Sequence, residues 1–281
     1  MDLRGSSTAL DTVLFVVLVG VAVAALVGAT PGESDGAERV ADETADVLAT
    51  STAEVSYARW GRVAVDGDGS VDVDRRASGT YAELLAAGVV AAALPGGTTD
   101  LDEAAANATR RALPTGDASV QVRATWEPYP GSDLGRTLTV GEEPPRDADL
   151  SVARLTVPSG MPNASARLGS DAASFQHVAA VVAKHVVEGM FPPERMRSAM
   201  ASEGPDRAVA ASRYRGARDR YGARVEDPLE NGDVETANAR VAEALRRDIQ
   251  QDMLRKFESP GQAARAVSVD RVRIVVRAWS S

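Results

Sequence analysis

The feature that most constrains this chain is an uncharged apolar run near its start. The run begins at Val13 and ends at Ala29, and its 17 residues include no charge and form no polar stripe. As an α-helix it would reach about 26 Å, close to the shortest length that crosses a membrane. Because so much apolar surface is costly to leave in water, residues 13–30 are predicted to form a single transmembrane helix. A secretory signal peptide cleaved after Ala29 and a buried core helix are the alternatives.

The segment just before this run, Arg4-Gly5-Ser6-Ser7-Thr8, joins a basic residue, a glycine and small hydroxyl residues. This arrangement resembles the leader of archaeal type IV prepilins. The resemblance implies cleavage after Gly5 on the cytoplasmic side, which would leave the apolar helix attached to the mature protein. Members of that family usually carry a Glu after the glycine, whereas the nearest carboxylate that follows here is Asp11.

The distribution of charge predicts the orientation of the chain. Arg4 is the only strongly basic residue before the apolar run, whereas seven carboxylates and a single basic residue, Arg39, lie within residues 33–54. Because basic residues favour the cytoplasmic side of a membrane, the N-terminus is predicted to lie in the cytoplasm. Residues 1–12 would then form a cytoplasmic leader. Residues 31–281 would form an extracellular domain held at the cell membrane, with a possible subdivision near residues 160–170.

The composition limits the partners that such a domain can have. The chain has no cysteine, so the domain must be stabilised by its own core rather than by disulfides. Acidic residues outnumber basic ones 40 to 31, and the net charge of −9 argues against nucleic acid as the main partner. All but two of the basic residues are arginines, the exceptions being Lys184 and Lys256. An acidic, lysine-poor chain resembles haloarchaeal proteins, and a GC-rich bacterial genome is the alternative source.

Hydrophobic periodicity and turn signals predict an α+β fold. Helices are expected over residues 33–57, 80–94, 100–113, 171–190, 194–224 (with a break near Gly204-Pro205) and 233–257. The second of these helices opens with a capping box formed by Thr80 and Glu83. A hairpin is expected at residues 62–74, and strands are expected at residues 120–126, 150–157 and 267–279. These strands would form a small antiparallel sheet beside a helix-rich remainder.

Two segments are rich in arginine. Residues 191–225 contain eight arginines and four acidic residues, which suits an anionic lipid surface, an acidic partner, or pairing with the chain's own Glu226 and Asp227. The last strand alternates, so that one of its sides carries Val272, Ile274, Val276 and Ala278 and the other carries Arg271, Arg273, Val275 and Arg277. That strand is expected either inside the sheet or at an edge that could accept a partner strand.

Four aspartates in the predicted hairpin are the only candidate metal ligands, and they are Asp66, Asp68, Asp72 and Asp74. Their oxygen atoms alternate around two glycines, which is part of what a calcium loop requires. Their spacing does not match that of an EF-hand, and the tip of an acidic hairpin explains the same residues.

No residue pattern in the chain predicts catalysis or a cofactor. His177 and His185 are the only histidines, and their separation of eight residues does not suit a metal pair on a helix. Nucleophile-elbow, Walker A, dinucleotide-binding and zincin motifs are all missing from the sequence. Asn107 and Asn163 begin N-glycosylation sequons, and each is a candidate for modification if the domain is extracellular.

These observations predict a non-enzymatic, membrane-anchored protein. The resemblance at the N-terminus implies an accessory or minor pilin-like component of an archaeal type IV pilus-like or secretion assembly. Its partners would be membrane lipid, through residues 13–29, and sister pilin-like or assembly subunits. The alternative is an extracellular ligand-binding or hydrolytic domain that is tethered or secreted.

Overall fold

The computed structural model of the protein describes residues 36–62, 70–93, 95, 100–116, 118–169, 172 and 174–280, which form an α+β fold. The helices are α1 (Gly36–Thr50), α2 (Tyr81–Ala93), α3 (Leu101–Ala112), α4 (Phe175–Met190), α5 (Pro193–Ala201), α6 (Pro205–Tyr221), α7 (Glu226–Glu230), α8 (Val234–Lys256) and α9 (Pro260–Ala266). The strands are β1 (Thr52–Arg62), β2 (Ser70–Thr80), β3 (Ala118–Trp126), β4 (Arg136–Val140), β5 (Ser151–Pro158) and β6 (Arg271–Ser280).

The strands form two antiparallel sheets. Strands β1 and β2 pair with each other as a long hairpin, in the region where a hairpin is predicted. The other four form a sheet in the order β4-β3-β6-β5, so the C-terminal strand lies inside the sheet rather than at its edge. The small antiparallel sheet predicted from the alternating segments is therefore present.

Two helices cover one face of the four-stranded sheet. Helix α1 packs against β5 and β6, and α2 packs against β3 and β4. The predicted capping box at the start of α2 is confirmed, because Thr80 N donates to Glu83 Oε2 at 2.8 Å and Glu83 N donates to Thr80 Oγ1 at 3.2 Å. These two bonds satisfy backbone donors that a helix start leaves unpaired.

The helices of the C-terminal half share the core of the sheet. A single cluster of buried side chains includes Leu48 on α1, Ile274 on β6, Val182 on α4 and Leu245 on α8. The indole Nε1 of Trp126, at the end of β3, donates to the Val269 carbonyl at 2.9 Å. This buried bond joins the sheet to the segment that leads from the helical half into β6.

The structure differs from the predicted elements at β1 and β4, and the short helices α7 and α9 are not predicted. The helix expected over residues 33–57 ends at Thr50, and the chain continues as β1, because Val55 and Tyr57 alternate with the exposed Glu54 and Ser56 as in a strand. Strand β4 lies between the strands predicted at residues 120–126 and 150–157, where no element is predicted from the sequence. It is only five residues long, and its alternating, β-branched residues suit a strand that pairs with β3.

The fold-class prediction is wrong in placing a transmembrane helix before the domain, since no helix among the described residues is both long and apolar enough to cross a membrane. Helix α2 is apolar, but its 13 residues span about 20 Å, less than the roughly 30 Å of a bilayer core. Helix α8 has 23 residues but carries charges along its whole length. The segment for which the helix was predicted, residues 13–30, lies outside the described residues, as does Gly5.

Candidate interaction surface

The four-stranded sheet has one buried face and one outward face. Residues 122, 124 and 126 of β3 are buried under the helices, as are residues 272, 274 and 276 of β6, while the residues between them point away. The alternation predicted for the last strand is therefore confirmed. Because side chains alternate along a strand, pairing register decides which outward residues become neighbours.

The register brings five arginines together on the outward side of β3, β6 and β5. Arg123 and Arg154 lie on either side of Val275, and Thr125 and Thr156 lie on either side of Arg273. No outward position within these three strands carries a carboxylate. We call this surface the arginine face, and it consists of Arg123, Arg154, Arg271, Arg273 and Arg277.

Only part of this positive charge is neutralised within the chain. Glu127 lies 3.8 Å from Arg273, and Asp270 lies 3.6 Å from Arg271, both near one end of the strands. Arg277 donates to the side-chain carbonyl of Gln121 at 3.4 Å.

Arg123 and Arg154 are exposed and make no ion pair with another described residue. Five arginines against the two carboxylates that pair with them leave about three positive charges in a protein whose net charge is −9. With two strand spacings between them, the Arg123 and Arg154 backbones lie about 10 Å apart.

One end of the arginine face is closed by the connection between the two edge strands. This connection leaves β4 at Gly141, whose φ of +94° and close approach to the Val120 carbonyl oxygen leave no room for a side chain. Gln121 Nε2 donates to the Glu142 carbonyl at 2.9 Å. Gln121 and Trp279 are both buried at this end. The accessible part of the arginine face therefore extends from Arg123 and Arg154 towards Arg271.

A polar pocket of about 260 Å³ lies between α8 and the loop that follows β3. Its buried charged residue is Asp252, which is 3% exposed. Asp252 Oδ2 accepts from the Tyr129 hydroxyl at 2.9 Å, and Oδ1 accepts from Lys256 Nζ at 2.6 Å and from Arg255 Nη2 at 2.9 Å. Asp133 completes the network by pairing with both bases.

The pKa shifts in this network are those of side chains that are already paired within the protein. Burial alone would raise the pKa of Asp252, but the hydrogen bonds from Lys256 and Tyr129 outweigh burial, and its pKa lies below the usual range. Burial raises the pKa of the Tyr129 phenol. The carboxylate is therefore charged and the phenol neutral at ordinary pH, and each is already bound to its partner.

A second, largely apolar groove of about 400 Å³ runs between α4 and α8. Its floor includes Ala180, Val187 and Ala242. Its charged rim is internally paired, because Arg246 Nη2 lies 2.7 Å from Glu243 Oε1. The hydrogen bond from Arg246 lowers the pKa of Glu243 to about 2.

A model of the Family of unknown function (DUF7284) matches residues 10–279 of the chain. The chain belongs to this family. Comparison with curated proteins and with solved structures finds no match. Because this family has no known function, membership in it does not assign an activity to the chain.

The predicted calcium ligands are only partly within the described residues. Asp66 and Asp68 lie outside them, and Asp72 lies on β2 in a part of the strand whose side chains are not described. Asp74 is exposed on the same strand. Among the described residues, no three histidine, aspartate or glutamate side chains are close enough together to hold a metal ion.

The two histidines lie on α4 and have different surroundings. His177 is exposed, and its backbone N donates to Ser174 Oγ at the helix start. His185 is buried, and its Nδ1 lies 2.7 Å from the Val181 carbonyl oxygen. The structure thus places the two side chains in separate environments rather than in one site.

The two sequon asparagines also differ in exposure. Asn107 is half-buried on α3, where its Oδ1 accepts from Arg110. Asn163 is exposed, and its Oδ1 accepts from Ser165 Oγ at 2.7 Å and from Ala166 N at 3.0 Å. Asn163 is therefore the more accessible candidate for a glycan, although its amide group already caps a short turn.

Several of the arginines in residues 191–225 are bound within the chain. Arg197 lies 2.9 Å from Glu235, and Arg218 pairs with both Asp219 and Glu226. Arg213 donates to the Met190 carbonyl. For Arg197 and Arg218 the structure agrees with the alternative of pairing with the chain's own acidic residues, whereas the arginine face is not among the surfaces predicted from the sequence. The alternation of β6 indicates three of the five arginines, but Arg123 and Arg154 join them only through strand register.

Proposed function

We propose that this chain is a non-enzymatic accessory or minor pilin-like component of an archaeal type IV pilus-like or secretion assembly. In this role the arginine face binds a carboxylate-rich surface of a neighbouring subunit. The observation that carries the proposal is the exposed, incompletely neutralised row of arginines on the side of the sheet opposite to helices α1 and α2.

The chemistry of arginine supports a protein interface. A guanidinium group is planar, always charged and weakly hydrated, so it can bind a carboxylate through two parallel hydrogen bonds at little desolvation cost. Arginine is also enriched among the residues that dominate protein–protein binding. At about 10 Å, the separation of the Arg123 and Arg154 backbones, two like charges in water repel each other by about 0.4 kcal/mol. The uncompensated arginines therefore oppose folding of the isolated domain slightly and favour an acidic partner.

The test is the state of the full chain in the cells that produce it. We expect Arg123→Glu combined with Arg154→Glu to move the protein from a high-molecular-weight complex to a smaller species on native gel electrophoresis. The matched control is Arg195→Glu combined with Arg265→Glu, which changes the charge equally at exposed arginines of α5 and α9. The proposal is wrong if both double variants behave like the unmodified protein, or if both lose the complex equally.

The polar pocket favours a second candidate, an extracellular ligand-binding or hydrolytic domain. Tyr129, Asp133 and Asp252 converge there with Arg220 and Arg255. Against this candidate, the Asp252 carboxylate already accepts three hydrogen bonds, and a phenol with a raised pKa is a poor nucleophile. A ligand that protects the full chain against thermal unfolding, but does not protect an Arg220→Ala variant, would favour this candidate.

The localisation and source belong to the same proposal. The acidic, lysine-poor composition supports a haloarchaeal origin, and the charge pattern around residues 1–54 supports a domain outside the cell with the N-terminus in the cytoplasm. Contact of residues 13–29 with membrane lipid stays a prediction, because those residues lie outside the described part of the chain.

A further inference from the structure

We infer that the partner of the arginine face is a second copy of this chain, which contributes the acidic outer side of α1. The inference rests on the proposed function, and it names the partner. The two surfaces are oppositely charged and lie on opposite sides of the two layers formed by α1 and the four-stranded sheet, so copies can bind head to tail.

The acidic surface follows from the amphipathic pattern of α1. Its inner side packs on the sheet through Ala37, Ala41, Thr44, Ala45 and Leu48. Its outer side exposes four carboxylates, Glu38, Asp42, Glu43 and Asp46, beside Arg39. None of the four carboxylates forms an ion pair with another described residue. The outer side of α1 thus has three more acidic than basic residues. This excess of negative charge equals the excess of about three positive charges on the arginine face.

The position of α1 excludes contact between the two surfaces within one copy. Helix α1 covers β5 and β6 from the buried side of the sheet, whereas Arg154 and Arg273 point from these strands to the other side. The carboxylates of α1 point away from the sheet in turn. The full thickness of the sheet and helix therefore separates Asp42 from Arg154, and the charges can meet only between copies.

A contact between two different surfaces does not close on itself as a symmetric dimer does. Each copy that binds through its arginine face still presents a free α1, and each copy that binds through α1 still presents a free arginine face. Such an interface generates open chains or rings. A component that extends an assembly requires this property.

The size of the surfaces indicates a weak contact. A 15-residue helix is about 22 Å long and about 10 Å wide, so the footprint is about 220 Å². A standard stable interface covers about 800 Å² per partner. We therefore expect self-association at high protein concentration that weakens as added salt screens the charges.

The test is sedimentation velocity of the purified full chain in neutral detergent, over a range of protein and NaCl concentrations. We expect Arg123→Glu/Arg154→Glu to weaken association about tenfold or more, because two attractive contacts become repulsive. Asp42→Arg/Asp46→Arg should have the same effect. A chain with all four substitutions should regain part of the association, since the substituted pairs attract each other with opposite sign. A mixture of the two double variants should also associate, because the unmodified α1 of one variant can meet the unmodified arginine face of the other.

Restoration separates a charge contact from a folding defect, because a misfolded variant would not recover when a second surface is reversed. The control is again Arg195→Glu/Arg265→Glu, which should associate normally. The inference is overturned if the unmodified chain stays monomeric, or if the four-fold variant does not recover. It is equally overturned if Arg123 and Arg154 prove to be required for binding vesicles of anionic phospholipid but not for self-association.

The two proposals fail in distinguishable ways. If the Arg123→Glu/Arg154→Glu variant leaves the cellular complex while the purified chain does not self-associate, the partner is a different acidic subunit. The proposed function then stands, and the second copy is excluded. If the cellular complex does not depend on these arginines, the proposed function itself is wrong.

Discussion

The buried Asp252 network makes a quantitative prediction about stability. In an Asp252→Ala variant the Tyr129 hydroxyl, which belongs to a residue only 1% exposed, loses its acceptor inside the protein. An unsatisfied buried hydroxyl costs about 1–3 kcal/mol. The contacts with Lys256 and Arg255 add about 0.5 kcal/mol each, since their side chains are 28% and 61% exposed and solvent screens them. We therefore expect a loss of about 2–4 kcal/mol in the free energy of unfolding.

The loss can be measured by thermal unfolding followed by circular dichroism. For a domain of this size, about 2–4 kcal/mol corresponds to a decrease in Tm of about 5–12 °C. Tyr129→Phe should cost less, because Asp252 keeps its two bases. The double variant should be less destabilised than the sum of the single variants, with a coupling of about 1 kcal/mol. The matched control is Asp248→Ala, an exposed position on the same helix, which should change stability by less than about 0.5 kcal/mol.

The pH dependence follows from the lowered pKa of Asp252. A carboxyl whose pKa is lower in the folded state stabilises the protein above its unfolded pKa, about 3.9, and loses this contribution as the pH falls through the folded value. The stability difference between the unmodified protein and Asp252→Ala should be constant from about pH 5 to 8 and shrink below about pH 4. This account of the network would be refuted by an Asp252→Ala variant as stable as the Asp248→Ala control. It would also be refuted if the losses in unfolding free energy of Asp252→Ala and Tyr129→Phe simply added in the double variant.

Three further predictions concern other parts of the fold. The pKa of Glu243, measured by NMR titration, should be about 2, and Arg246→Gln should return it towards the ordinary range; an unchanged value would contradict the role of the ion pair. Gly141→Ala should lower the free energy of unfolding by about 2 kcal/mol or more, measured as a lower Tm, because the left-handed backbone and the close carbonyl exclude a Cβ. Burial raises the pKa of Tyr129 and Tyr214, so the phenols of the unfolded chain ionise first as the pH rises. The free energy of unfolding should therefore keep its full value below about pH 10 and decrease above it. Urea titrations at about pH 8 and about pH 11 measure this difference, and equal values at the two pH values would contradict the prediction.

The parts of the fold that could be predicted from the sequence are those governed by local patterns. Thr80 and Glu83 mark the start of α2, and the alternation in residues 271–278 correctly separates the two sides of β6. Such signals need only a few neighbouring residues. The helix expected over residues 33–57 extends too far because Val55 fits both a helical and an alternating pattern, and pairing with β2 decides in favour of the strand.

The candidate site depends on information that no local pattern contains. Arg123, Arg154 and Arg273 are far apart in the chain, and they become neighbours only because β6 inserts between β3 and β5. In the same way, the dense arginines of residues 191–225 appear as a basic patch in sequence, but Arg197 and Arg218 pair with acidic residues of neighbouring helices and turns. Strand order and side-chain pairing, rather than composition, determine which charges remain available.

The most direct test of the central claim is a zero-length cross-link at the arginine face in intact cells. Arg154→Lys keeps the charge and introduces an amine into a chain whose other lysines are Lys184 and Lys256. After carbodiimide treatment, mass spectrometry should find this amine coupled to a carboxylate of another subunit, and Arg195→Lys should give no comparable product. An Arg154→Lys chain that cross-links to no other protein, or no more than Arg195→Lys does, would contradict the claim that this face binds a neighbouring subunit.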